Sequence, residues 1–61
     1  MTLTEKIAQA QRHVELGRRI VERQRLIVAR RTTPASVDLL ETFESTQRIF
    51  EGDLADLLER K

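Results

Sequence analysis

Hydrophobic residues in the first half of the chain recur at alternating intervals of four and three. The seam positions are Leu3, Ile7, Ala10, Val14, Gly17, Val21, Gln24 and Val28. This heptad spacing places them along one side of an α-helix, where a second helix can pack. Ahead of the series, Thr2 and Glu5 have the S/T-x-x-E spacing of a capping box, which marks a helix start. The pattern predicts a first helix over about residues 3–30.

A second helix is predicted from Thr33 and Pro34, because threonine is a favoured N-cap and proline is favoured in the first helical turn. Its seam consists of Leu40, Phe43, Gln47, Phe50, Leu54 and Leu57. Gly52 lies inside this pattern and costs roughly 1 kcal/mol relative to alanine, without ending the helix. We expect this helix to cover about residues 34–59, after a turn over about 31–33. A connection this short predicts one all-α domain, an antiparallel two-helix hairpin over residues 1–61.

Counting outward from the turn pairs the positions of the two seams. Gly17 is then expected opposite Phe50, small against large, and Val21 opposite Gln47. Gln24 and Gln47 interrupt the two seams, and polar residues at such positions commonly fix the register and the number of helices.

The apolar arc of the first helix is about 160° wide, which is wider than one partner helix covers. A chain of 61 residues is also only marginally stable unless a disulfide, a metal ion or oligomerisation adds to its stability. Because the chain has no cysteine, a disulfide is excluded. We therefore expect the hairpin to dimerise into a four-helix bundle. The predicted dimer interface is His13, Leu16, Ile20, Gln24 and Ile27. The predicted core is Ile7, Val14, Ile20, Val21, Ile27, Val28, Leu40, Phe43, Phe50, Leu54 and Leu57.

Charge is divided unevenly along the chain. Residues 1–31 carry eight basic and three acidic side chains, net +5, whereas residues 32–61 carry three basic and seven acidic ones, net −4. We interpret this as mutual neutralisation of two helices that lie side by side. The alternative is weak, unspecific binding of duplex nucleic acid. The arginines for that alternative share the outer face of the first helix: Arg12, Arg19, Arg23 and Arg30.

Candidate chemistry is sparse. His13 is interpreted as a partly buried histidine bonded to a neighbour, with a pH sensor or a metal pair across a dimer as the alternative. The Glu-x-x-His motif of di-metal bundles is absent, because Ala10 stands three residues before His13. No serine or threonine has a recognisable base, so neither a catalytic, a cofactor-binding nor a metal site is predicted, and the protein is not expected to be an enzyme.

Localisation is predicted to be cytoplasmic. The longest clearly apolar run, residues 26–29, is far too short to span a membrane, and the first residues lack the basic start and apolar run of a signal peptide. The absence of cysteine is in keeping with a reducing compartment.

Many of these residues together resemble a group of very short bacterial proteins of unknown function, which are helical hairpins. The resemblance is carried by His13-Val14, Gly17, Arg19-Ile20, Arg23-Gln24-Arg25, Ile27-Val28, Thr33, Leu39-Leu40, Phe43-Glu44, Gln47 and Asp53-Leu54. The turn departs from the group's pattern, since Arg31-Thr32 stands where a glycine or aspartate is expected before the threonine. The resemblance implies the hairpin fold and no functional residue. The function we predict is a small, non-catalytic, homo-oligomeric interaction module, with a further protein as a second partner.

Overall fold

The computed structural model describes all 61 residues and consists of two packed α-helices. Helix α1 spans Leu3–Arg30 and helix α2 spans Pro34–Glu59. The second helix returns along the first, and the hairpin measures 43 × 15 × 14 Å. These bounds agree with the caps and seams of the sequence. Neither helix combines the length and the apolar character that crossing a membrane requires.

Reciprocal capping boxes define where both helices begin. At α1 the Thr2 hydroxyl accepts a hydrogen bond from the Glu5 amide, and the Glu5 carboxylate accepts one from the Thr2 amide, at 3.1 and 3.2 Å. At α2 the Thr33 hydroxyl accepts from the Ser36 amide, and the Ser36 hydroxyl accepts from the Thr33 amide, at 3.1 and 3.0 Å. The sequence predicted the first box in full. It predicted Thr33 as the second N-cap but gave Ser36 no role.

The buried interior of the hairpin is small. Its buried apolar residues are Ile7, Ala10 and Val21, and no side chain is completely enclosed. Most of the other predicted core residues are only half-buried: Val14, Val28, Leu40, Phe43, Phe50, Leu54 and Leu57. Ile20 and Ile27 remain exposed in the single hairpin, as the width of the apolar arc predicts.

Two glutamines cross from one helix to the backbone of the other. The Gln24 side-chain amide donates to the Ser36 carbonyl at 2.9 Å, and the Gln47 amide donates to the Val14 carbonyl at 2.8 Å. Both side chains are buried. Because a buried amide must keep a partner, these two bonds resist sliding of one helix along the other.

The predicted pairing of Gly17 with Phe50 is wrong. Gly17 faces Gln47, whose amide carbon would lie 2.9 Å from a Cβ built on the glycine and whose Oε1 would overlap it. Phe50 contacts His13 instead, one helical turn closer to the start of α1. The prediction assumed that a large apolar residue fills the gap left by glycine, whereas the gap admits a polar side chain that bonds to the backbone.

Candidate interaction surface

One side of the hairpin carries ion pairs, and we call it the charged face. Its members are Glu15, Arg18, Glu22, Arg25 and Glu44. Arg18 contacts Glu15 at 2.7 Å and Glu22 at 3.2 Å within α1. Arg25 reaches across to Glu44 of α2 at 3.0 Å. These side chains are largely solvated, so each pair adds little to stability, but together they make this side of the hairpin polar.

Electrostatics on the charged face shift the pKa of two groups, Glu15 and Arg18. The hydrogen bond from Arg18 lowers the pKa of the Glu15 carboxyl below its ordinary value, and the positive charges of Arg18 and Arg19 act in the same direction. The same hydrogen bond raises the pKa of the Arg18 guanidinium. Glu15 is therefore held in its charged form.

The opposite side of the hairpin carries several exposed apolar side chains. Ile20 and Ile27 are 46% and 44% exposed, and Leu39 of α2 is 49% exposed. At about 100° per residue, both isoleucines lie about 100–120° around α1 from buried Val21, on the side away from Arg25. We call this surface the open face, and its members are His13, Leu16, Ile20, Ile27, Leu39, Phe43, Phe50 and Leu57.

His13 of α1 contacts Phe50 of α2 on the open face. Its ring lies 5.3 Å from that of Phe50, centroid to centroid, with the planes inclined by 40°. A shallow hollow of about 340 Å³ on this side is lined by apolar residues that include Ala10, Phe50 and Leu57, and also by His13, Lys6, Gln9 and Asp53. The interpretation of His13 as a partly buried, hydrogen-bonded residue is wrong, because the side chain is exposed and contacts an aromatic ring.

Four of the five predicted interface residues are exposed, namely His13, Leu16, Ile20 and Ile27. The fifth, Gln24, is 6% exposed and is already bonded to Ser36 inside the hairpin, so it does not contribute to the open face. The interface predicted from the sequence contains no residue of α2, although α2 contributes to the open face. Leu39 directly precedes the seam residue Leu40. A helical wheel of α2, drawn as for α1, places Leu39 beside the seam and predicts that it belongs to the open face.

The four arginines of the nucleic-acid alternative are all exposed and follow the outer face of α1. From Arg12 to Arg30 they extend over about 27 Å at 1.5 Å per residue. Arg19 contacts Glu15 at 3.4 Å, whereas Arg12, Arg23 and Arg30 make no ion pair within the chain. We call these four residues the arginine strip.

No group of three or more histidine, aspartate or glutamate side chains is arranged to hold a metal ion. Comparisons of the chain with models of protein families, with curated proteins and with solved structures gave no match. The open face and the arginine strip are the two surfaces of the hairpin that are arranged to contact a partner.

Proposed function

We propose that this protein is a small, non-catalytic interaction module that associates with a second copy of itself through the open face, forming a four-helix bundle. The observation that carries the proposal is the exposure of Ile20, Ile27 and Leu39 on the side of the hairpin that lacks ion pairs. Isolated exposed leucines are ordinary on protein surfaces, but several exposed apolar side chains on one side of a hairpin are typical of an interface.

The dimensions of the hairpin support this proposal. Its accessible surface is 4825 Å², compared with about 4100 Å² for a compact monomer of 7.1 kDa. Its radius of gyration is 14.0 Å, compared with about 10.5 Å for a compact 61-residue domain. A second hairpin on the open face converts this rod into a thicker bundle with an ordinary ratio of surface to volume.

The area available is also sufficient. A face 43 Å long and 15 Å wide is on the scale of the roughly 800 Å² per partner that stable interfaces bury. Covering the exposed half of an isoleucine contributes about 1 kcal/mol, and a dimer covers four of them in addition to the leucines and phenylalanines. For a hairpin with three buried apolar residues, this gain decides whether the fold is stable.

Sedimentation equilibrium tests the proposal. We expect the parent protein to have twice the 7.1 kDa mass of one chain. The variant Ile20→Glu/Ile27→Glu should lose both this association and its helical circular dichroism, because charges on the open face cannot be buried unpaired.

A matched control is Gln11→Glu/Leu26→Glu, which makes the same change in charge on α1 at two exposed positions outside the open face. It should remain dimeric and helical. A parent protein that is helical and sediments as a single chain at high concentration would overturn the proposal, as would a helical dimer of the Ile20→Glu/Ile27→Glu variant.

The arginine strip supports a second candidate, the binding of duplex nucleic acid, because three of its four side chains have no partner within the chain. Contacts made by arginines to phosphates are independent of sequence and weaken steeply with salt. We expect only weak binding in a band-shift assay at 50 mM salt and its loss by 200 mM. Sequence-selective binding below 1 μM at physiological salt would favour the nucleic-acid candidate.

A further inference from the structure

We infer that each α1 helix packs on α2 of the other copy, so that the two turns lie at the same end of the bundle. This inference rests on the proposed self-association and concerns the arrangement of the two copies. It identifies the second copy's α2 as the surface that each α1 recognises.

Two-fold symmetry allows two ways to stack two hairpins by their open faces. With the symmetry axis parallel to the helices, α1 faces α2 of the second copy and both turns are at one end. With the axis across the helices, α1 faces α1, α2 faces α2, and the turns are at opposite ends. The two arrangements bury the same open face, so apolar burial alone does not choose between them.

Charge distinguishes the two arrangements. The segment that contains α1 has net charge +5 and the segment that contains α2 has −4. The parallel axis gives every helix two neighbours of opposite charge. The crossed axis places the two positive helices against each other, and the two negative helices likewise. Complementary potentials favour the first arrangement and disfavour the second.

The register of the hairpin, which sets the residues of α1 and α2 that lie at the same height, also favours the parallel axis. A symmetry axis parallel to the helices permits no sliding, so the levels within one hairpin also hold between copies. From the contact of Gly17 with Gln47, Arg12 is level with Gly52 of the second copy, one residue before Asp53, so Arg12 and Asp53 lie close together along the bundle. Both are exposed, and neither makes an ion pair within its own chain.

The same levels match the apolar residues. Ile20 is within one residue of the level of Phe43 of the second copy, and Ile27 is within two residues of the level of Leu39. In the crossed arrangement, by contrast, the edges of the two arginine strips lie together, with Arg12 of one copy towards Arg23 of the other when the helices are centred on each other. The parallel axis therefore places apolar residues of one copy beside apolar residues of the other, and Arg12 beside Asp53.

Distances between spin labels test the arrangement. Because the chain has no cysteine, Thr32→Cys labels the turn and Arg60→Cys labels the opposite end, each at an exposed site. In dimers of Thr32-labelled chains we expect a separation of about 20 Å, from helices about 10 Å apart and the length of the labels. A mixture of Thr32-labelled and Arg60-labelled chains should add a separation near the 43 Å length of the hairpin.

The crossed arrangement reverses both results. Thr32-labelled dimers then give the long distance and the mixture adds the short one, which would overturn the inferred arrangement and leave self-association intact. Dipolar coupling that is absent from every sample, together with the sedimentation mass of one chain, would overturn the proposed function and this inference with it. Dilution with unlabelled protein is the control, since it must reduce coupling between copies.

Discussion

Gly17 and Gln47 show how one missing side chain shapes the contact between the helices. Without a Cβ, α1 admits the Gln47 amide far enough for its nitrogen to donate to the Val14 carbonyl. The Gln47 Oε1 is buried without a hydrogen-bond partner. The position of Gln47 therefore depends on the bond to Val14 and on the space above Gly17.

Helix propensity alone favours Gly17→Ala by up to about 1 kcal/mol, but we expect the substitution to lower the free energy of unfolding by about 1 kcal/mol. The new Cβ displaces the Gln47 amide, and losing a buried hydrogen bond costs about 1–3 kcal/mol. Urea unfolding measures the difference. Gly52→Ala is the matched control, because a Cβ there meets no atom within 4 Å, and it should be stabilising.

The same substitution made in a Gln47→Ala background should change sign and stabilise the protein by up to about 1 kcal/mol, since only helix propensity then remains. Equal effects of Gly17→Ala in both backgrounds would contradict the contact between Gly17 and Gln47.

Glu15 gives a prediction that depends on pH. Its hydrogen bond with Arg18 lowers the pKa of the folded state below the ordinary value of 4.5. The ion pair therefore contributes stability above the unfolded pKa, and this contribution is lost as the pH falls through the lowered pKa. An NMR titration should show the pKa of Glu15 rising towards its ordinary value in Arg18→Ala. It should be unchanged in Arg25→Ala, whose partner is Glu44.

At the level of the helices, the sequence was sufficient to predict most of the fold. A helix cap depends on two or three neighbouring residues, and a heptad seam depends on the spacing of residues within one helix. Both can therefore be predicted from a short stretch of sequence. This explains why the ends of α1 and α2 agree with the prediction. The role of Ser36 was missed because the usual capping-box pattern has glutamate or glutamine at its position.

The register and the extent of the open face were harder to predict. Both depend on how far a side chain on one helix reaches across to the other, and spacing within one helix does not contain this information. Gln24 shows the difficulty, since its place on the wheel fits either a dimer interface or the interior. Its bond to the Ser36 carbonyl places it in the interior.

The two capping boxes should differ in their effect on stability. Thr33→Ala removes the N-cap beside the turn and disturbs Ser36, whose hydroxyl also donates to the Arg31 carbonyl at 3.3 Å. We expect a loss of about 1 kcal/mol. Thr2→Ala should cost less, because Thr2 is exposed whereas Thr33 is half-buried beside the turn. Thermal unfolding of the two variants measures the order, and a larger loss in Thr2→Ala would contradict it.

For the molecule as a whole, the two faces of the hairpin differ in how favourably water solvates their side chains. The charged face is covered by ion pairs that remain solvated. The open face presents isoleucine, leucine and two half-buried phenylalanines. We therefore expect contacts between the two copies to contribute more to the free energy of unfolding than the interior of each hairpin does.

This division predicts that stability depends on protein concentration. A tenfold increase should raise the apparent free energy of unfolding by about 1.4 kcal/mol per dimer, because association and folding are coupled. The midpoint of urea unfolding, measured across a hundredfold range of concentration, should therefore increase steadily. A constant midpoint would indicate that a single hairpin is stable by itself.

The two glutamine bonds also restrict how the length of this protein can change. Gln24 and Gln47 bond across the hairpin at two separate levels, one near the turn and one near its middle. A single residue inserted between these levels rotates everything beyond it by about 100° and turns one bond away from its acceptor. Seven residues inserted into each helix between the two levels nearly restore the phase and lengthen the rod by about 10 Å. Longer or shorter versions of this hairpin are therefore expected to differ by segments that complete nearly whole helical turns, such as about seven or eleven residues, added to or removed from both helices together.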